Sequence, residues 1–75
     1  MVRYKNLGGN SSVVAYELGQ GAITVQFNDG WCYLYTSQSA GAANISEMQR
    51  LAVVGQGLNS YIGRVVRNGY GRKWR

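Results

Sequence analysis

A chain of 75 residues, 45% hydrophobic and 15% charged, has material for one small core and no more, because a chain this short buries only about 60% of its unfolded surface. Cys32 is the only cysteine and there is no histidine, which excludes an intrachain disulfide, argues against a zinc site, and leaves self-association as a dimer or tetramer as the expected source of further burial. Eight Lys or Arg against three acids give a net charge of +5, with no acid after Glu47, a field that attracts phosphates, nucleic acid or an acidic membrane surface.

In chain order, the first ten residues end in Gly8-Gly9-Asn10 and are expected to form a flexible arm, leaving residues 11–75 as a single domain. Ser12 to Leu18 is rich in β-branched and aromatic residues and closes on Gly19-Gln20-Gly21, which predicts a strand and a turn. Ala22 to Phe27 alternates, with Ile23, Val25 and Phe27 on one side and Thr24 and Gln26 on the other, the period of a half-buried strand. Asn28-Asp29-Gly30 tolerates positive φ, and Trp31 to Thr36 resumes the extended pattern, completing an antiparallel meander.

Ser37 to Asn44 reads as a loop that delivers Asn44 as a helix N-cap, with Glu47 at the third helical position in a capping-box spacing. Ile45, Met48, Leu51 and Ala52 recur at helical spacing until Gly55-Gln56-Gly57. A second helix is predicted from about Leu58 to Asn68, with Leu58, Ile62, Val65 and Val66 on its apolar side and Arg64 and Arg67 three apart, placed to grip one anion together. Gly69 and Gly71 end it, and a basic tail follows. The predicted class is α+β: a three-stranded antiparallel β-meander followed by two short helices packed on one sheet face. No apolar run approaches the ~20 residues of a membrane span, and Met1-Val2-Arg3-Tyr4 does not open a signal peptide. The expectation is a cytoplasmic protein with no membrane contact, for which a lone free thiol is suited.

Catalysis is not expected. The three carboxylates are scattered, with Glu17 in a strand, Asp29 in a hairpin turn and Glu47 in a first helical turn, and each has a structural task there. Cys32 sits in a strand between two aromatics with no base beside it. No cofactor is called for. Binding is better supported, because Trp31, Tyr33 and Tyr35 project from one side of a strand and Cys32, Leu34 and Thr36 from the other. Either the three rings form an exposed platform on which bases stack, or they point inward and build the core. Gly55-Gln56-Gly57 before a helix offers N–H groups to an anion or serves as a tight connection, with Asn59, Ser60 and Tyr61 in the following turn able to add polar contacts. Tyr70 and Trp74 interleave with Arg72, Lys73 and Arg75 at the C-terminal end.

Four elements in order, Ser11-Ser12, Phe27 with Gly30, Tyr33-x-Tyr35, and Gly55-x-Gly57-Leu58-Asn59-x-x-Ile62, resemble the KTSC domain over about residues 11 to 73. That family includes a C-terminal extension of some lysyl-tRNA synthetases and stand-alone small proteins of bacteria and their phages. The chain departs from the family where many members carry Val-Pro after the second tyrosine, since Ser37 to Asn44 stands there instead. The resemblance implies a small binding domain in the company of RNA. It also suggests comparison with phage-encoded oligomers that enclose a nucleotide immune signal, a cyclic nucleotide or ADP-ribose derivative, and withhold it from host defence.

The expected ligand is therefore a small phosphate-containing nucleotide, bound by Tyr33, Tyr35, Asn59, Ser60, Tyr61, Arg64, Arg67, Tyr70, Arg72 and Lys73. Rings would hold a base and cations the phosphates. The alternative is an RNA or single-stranded nucleic-acid module driven by the basic tail. A protein-interaction module using the sheet edge or the Tyr/Trp surface is a third possibility, and it would be insensitive to phosphate.

Overall fold

A computed structural model describes residues 1–75 without a gap. The class is α+β, as expected, but the sheet is larger than the meander alone. Five antiparallel strands lie in chain order: β1 (Val2–Arg3), β2 (Val13–Gly19), β3 (Ala22–Phe27), β4 (Cys32–Thr36) and β5 (Arg72–Trp74). Between β4 and β5 come α1 (Ser37–Ala40), α2 (Ala42–Val54) and α3 (Leu58–Tyr61), the last running into a π-helical turn at Ile62–Val66. No helix is long and apolar enough to cross a membrane.

The three central strands follow the alternation in the sequence. Register places Ile23 beside Tyr35 and Val25 beside both Tyr16 and Tyr33, so these side chains share one sheet face. Against that face pack Ile45, Met48 and Ala52 of α2 and Leu58, Ile62 and Val66 beyond it, all buried. A β-bulge between Val13 and Ala15 shifts the phase of β2. It lets Val13 and Tyr16, an odd number of residues apart, both face the core, while Val14 is exposed. Gln49 fastens α2 to the β2–β3 turn, its Nε2 donating to the carbonyls of Gly19 and Ala22 at 2.9 Å each.

The N-terminal segment is not a flexible arm. Val2 and Arg3 pair with Tyr16 and Ala15, and Tyr4 is only 3% exposed. The Tyr4 N–H donates to the Val14 carbonyl, its hydroxyl accepts from the Leu58 N–H, and the Leu7 N–H donates to the Gly55 carbonyl at 2.7 Å. Two strand residues are too few to show a period, so the glycines that follow them dominate the sequence pattern. The basic tail is likewise a strand: Trp74, Lys73 and Arg72 pair with Cys32, Tyr33 and Leu34.

The helical region also departs from expectation. Ser37 to Asn44 contains α1, opened by a capping box in which Thr36 and Ser39 exchange hydrogen bonds. Gly41, at φ +96°, turns the chain from α1 into α2. Asn44 therefore lies inside α2 rather than at its N-cap, with Nδ2 donating to the Ala40 carbonyl, and Glu47 pairs with Arg50 instead of closing a box. The predicted second helix ends as a regular α-helix at Tyr61. The wider turn that follows keeps Ile62 and Val66 inside, four residues apart, and leaves Val65 at the surface.

Candidate functional site

The covered sheet face is longer than the helices that cover it. Where they stop, a cleft of about 480 Å³ opens between the β3–β4 hairpin, β4 and β5 on one side and the α3–π-turn segment with its return to β5 on the other. Its floor is aromatic. Tyr33 and Tyr35 stand on alternate residues of β4 and stack at 6.4 Å between centroids with 21° between planes. Tyr70 meets both edge-on, at 5.0 and 6.4 Å, and Phe27 meets Tyr33 edge-on at 5.3 Å. Such perpendicular contacts place the positive ring edge on the negative face and fix the rings' orientation.

Burial, reinforced by the neighbouring Tyr33 and Tyr70 hydroxyls, pushes the Tyr35 hydroxyl up to about 12. It keeps its proton at neutral pH and is a neutral hydrogen-bonding group in the floor.

Two basic residues line the cleft, and one of them borders these rings. Register puts Lys73 beside Tyr33, and its Nζ lies 5.4 Å from the Trp31 centroid, 5.7 Å from Tyr70 and 6.0 Å from Tyr33, within cation–π range of all three. Arg67 enters from the opposite wall. The π turn closes with the Arg67 N–H on the Ile62 carbonyl at 2.6 Å, and the residue is held at φ 52°, ψ −116°. That conformation is costly for a side chain bearing a Cβ. The chain's one side-chain ion pair joins Arg50 to Glu47, so the Arg67 guanidinium has no carboxylate partner.

The polar rim comes from the β3–β4 hairpin and from α3. In the hairpin the Gly30 N–H donates to the Phe27 carbonyl and the Phe27 N–H to the Trp31 carbonyl, with Gly30 at φ +91°. This is a type I turn closed by a left-handed glycine, and it holds Asn28 and Asp29 at the mouth of the cleft. Asn59, Ser12 and Asn68 complete the polar lining.

Six of the ten residues expected to bind ligand come together here: Tyr33, Tyr35, Asn59, Arg67, Tyr70 and Lys73. Four do not. Ser60 lines a separate polar hollow of about 230 Å³ with Tyr4, Asn6 and Gly57, which Asn59 also borders. The Tyr61 hydroxyl donates to Asn44 Oδ1 at 2.7 Å, a tie between α3 and α2. Arg64 is exposed and outside the cleft, because the π turn breaks the helical spacing that would have aligned it with Arg67. Arg72 is on the opposite sheet face, its guanidinium 5.7 Å from the Trp74 centroid.

Of the two orientations open for the aromatic strand, the inward one is observed, with Tyr35 in the core and Tyr33 packed against it. There is no exposed three-ring platform. The glycine loop leads into an α3 of only four residues, and the Leu58 N–H there is taken by the Tyr4 hydroxyl. Cys32 is buried on the far side of the sheet, paired with Trp74.

Sequence reasoning did not assign Ser12, Phe27, Asn28, Asp29, Ile62 or Asn68 to the site. Phe27 and Ile62 carry the ordinary signal of core residues, and Asn28-Asp29 that of a turn. Only the hairpin's position beside the Tyr33 ring gives them a second role. No protein-family model, curated protein or solved structure matches the chain.

Proposed function

We propose that this protein binds a small, phosphate-containing nucleotide in the cleft and holds it without converting it. The observation that carries the reading is the meeting of an aromatic floor with an unpaired arginine in a cleft of about 480 Å³, a size within the usual range for small-ligand sites. Ring faces and edges favour a base, at about 1–3 kcal/mol per stacked base. A guanidinium favours phosphate through paired, charge-assisted hydrogen bonds. Retention without conversion is supported by placement: Cys32 lies across the sheet from the cleft, and Asp29 is the only carboxylate that lines it.

A protein that only holds a nucleotide suits sequestration. The proposal therefore includes the role of a phage-type anti-defence sponge for a cyclic nucleotide or ADP-ribose signal, assembled as a dimer or tetramer, in keeping with the KTSC-like sequence elements. Native mass spectrometry of protein purified gently from cells that make such signals tests it. The expected spectrum is an oligomer carrying a nucleotide-sized adduct. A bare chain that takes up no nucleotide would contradict it.

A second reading, an RNA or single-stranded nucleic-acid module, is favoured by the far sheet face, where Arg72 stacks on a partly exposed Trp74. The two readings differ in salt dependence. Affinity for an extended polynucleotide falls steeply with salt as counterions are released, whereas a small ligand with one or two phosphates responds weakly.

A further inference from the structure

The cleft is basic on balance, yet one carboxylate lines it. We propose that Asp29 selects the base of the bound nucleotide and that the base is guanine, an inference that rests on the nucleotide reading above and narrows it to a guanine-bearing cyclic nucleotide, excluding the adenine-bearing ADP-ribose derivative. An anionic carboxylate repels phosphate, so the part of the ligand that faces it must be a hydrogen-bond donor. Asp29 belongs to the hairpin that joins Phe27 to Tyr33, the two rings of an edge-on pair, whereas the unpaired Arg67 comes from the other wall. A nucleotide spanning the cleft with its phosphates on Arg67 sets its base on those rings and its outer edge toward the hairpin.

Among the common bases only guanine presents two adjacent donors on one edge, the ring N1–H and the exocyclic amine, which match the two oxygens of a carboxylate. Adenine and cytosine present a donor beside an acceptor, and uracil a single N–H between two acceptors. The exposed Asp29 carboxylate is anchored at one oxygen and still has free capacity. Its Oδ1 accepts from the Trp31 N–H at 3.0 Å, Oδ2 accepts no hydrogen bond from the chain, and the Arg75 Nη2 contact at 3.4 Å is to the Asp29 backbone carbonyl. Each carboxylate oxygen has two acceptor sites, so both oxygens remain able to receive a base donor.

Calorimetric titration with guanosine, inosine and adenosine 5′-diphosphates tests the inference. A charge-assisted pair of hydrogen bonds predicts that the guanosine compound binds about 10- to 100-fold more tightly than the adenosine compound. Inosine, which lacks the exocyclic amine, falls between them, and this comparison needs no altered protein. Asp29→Asn keeps the Oδ1 acceptor for the Trp31 N–H and so preserves the turn. It is expected to bring the guanosine affinity down to that of adenosine while the adenosine affinity stays within about twofold. Equal affinities for the three nucleotides, or discrimination that survives Asp29→Asn, would overturn the role of Asp29 and leave nucleotide binding standing. No binding of any of the three would overturn both.

Discussion

Arg64 and Arg67 are three positions apart, and on a regular helix they would share a side. The π turn at Ile62–Val66 separates them: both are exposed, but Arg67 lines the cleft and Arg64 does not. Arg67→Ala should therefore weaken nucleotide binding about 10-fold or more, the scale of a hydrogen bond to a charged group. Arg64→Ala should change it by less than about twofold. Calorimetry on the two single variants checks both, and equal losses would show that the arginines act together.

Tyr35 supports a prediction about alkaline pH. Its hydroxyl is raised from 10.0 to about 12, first by burial and then by Tyr33 and Tyr70, so the folded chain holds this proton more tightly than the unfolded chain. The associated stability is fully present below about pH 10 and is lost as pH rises through about 12. Urea midpoints measured across that window should fall for the native sequence, and Tyr35→Phe should flatten the fall. An identical pH dependence in the variant would contradict this.

At the scale of elements, the N-terminal strand is tied to the start of α3. Gly55 stands at the junction with φ +92°, and a Cβ there would lie 2.6 Å from the Lys5 Cβ. Gly55→Ala combines a left-handed backbone with a clash and should destabilise the fold by about 1–3 kcal/mol, read from denaturant unfolding. Gly63→Ala is the control, since nothing lies within 4 Å of the added carbon.

The elements also show what the sequence can reveal. The meander is legible because Ile23, Val25 and Phe27 alternate and Asn28-Asp29-Gly30 has the residues of its turn. The edge strands are not, because Val2-Arg3 and Arg72-Lys73-Trp74 are too short for a period and one is basic enough to look like a solvated tail. The cleft is half legible for the same reason: Tyr33, Tyr35, Tyr70, Arg67 and Lys73 stand out by residue type. Asn28 and Asp29 join it only through the hairpin's place above the aromatic floor.

For the whole molecule, the sheet separates two kinds of surface. The helical side ends in the aromatic cleft with Arg67 and Lys73, and the far side carries Arg72 and Trp74 at its β5 edge. With a net charge of +5 both sides attract anions, so binding alone does not show which surface is used. The most direct test is an amide chemical-shift titration of the isotopically labelled protein with guanosine 5′-diphosphate at about 0.15 M salt, where weak surface attraction is screened. The account predicts shifts concentrated at Asn28, Asp29, Tyr33, Asn59, Arg67, Asn68 and Tyr70, with Arg3, Gln26 and Leu34 unmoved. Shifts confined to the far sheet face, or none at all, would contradict it.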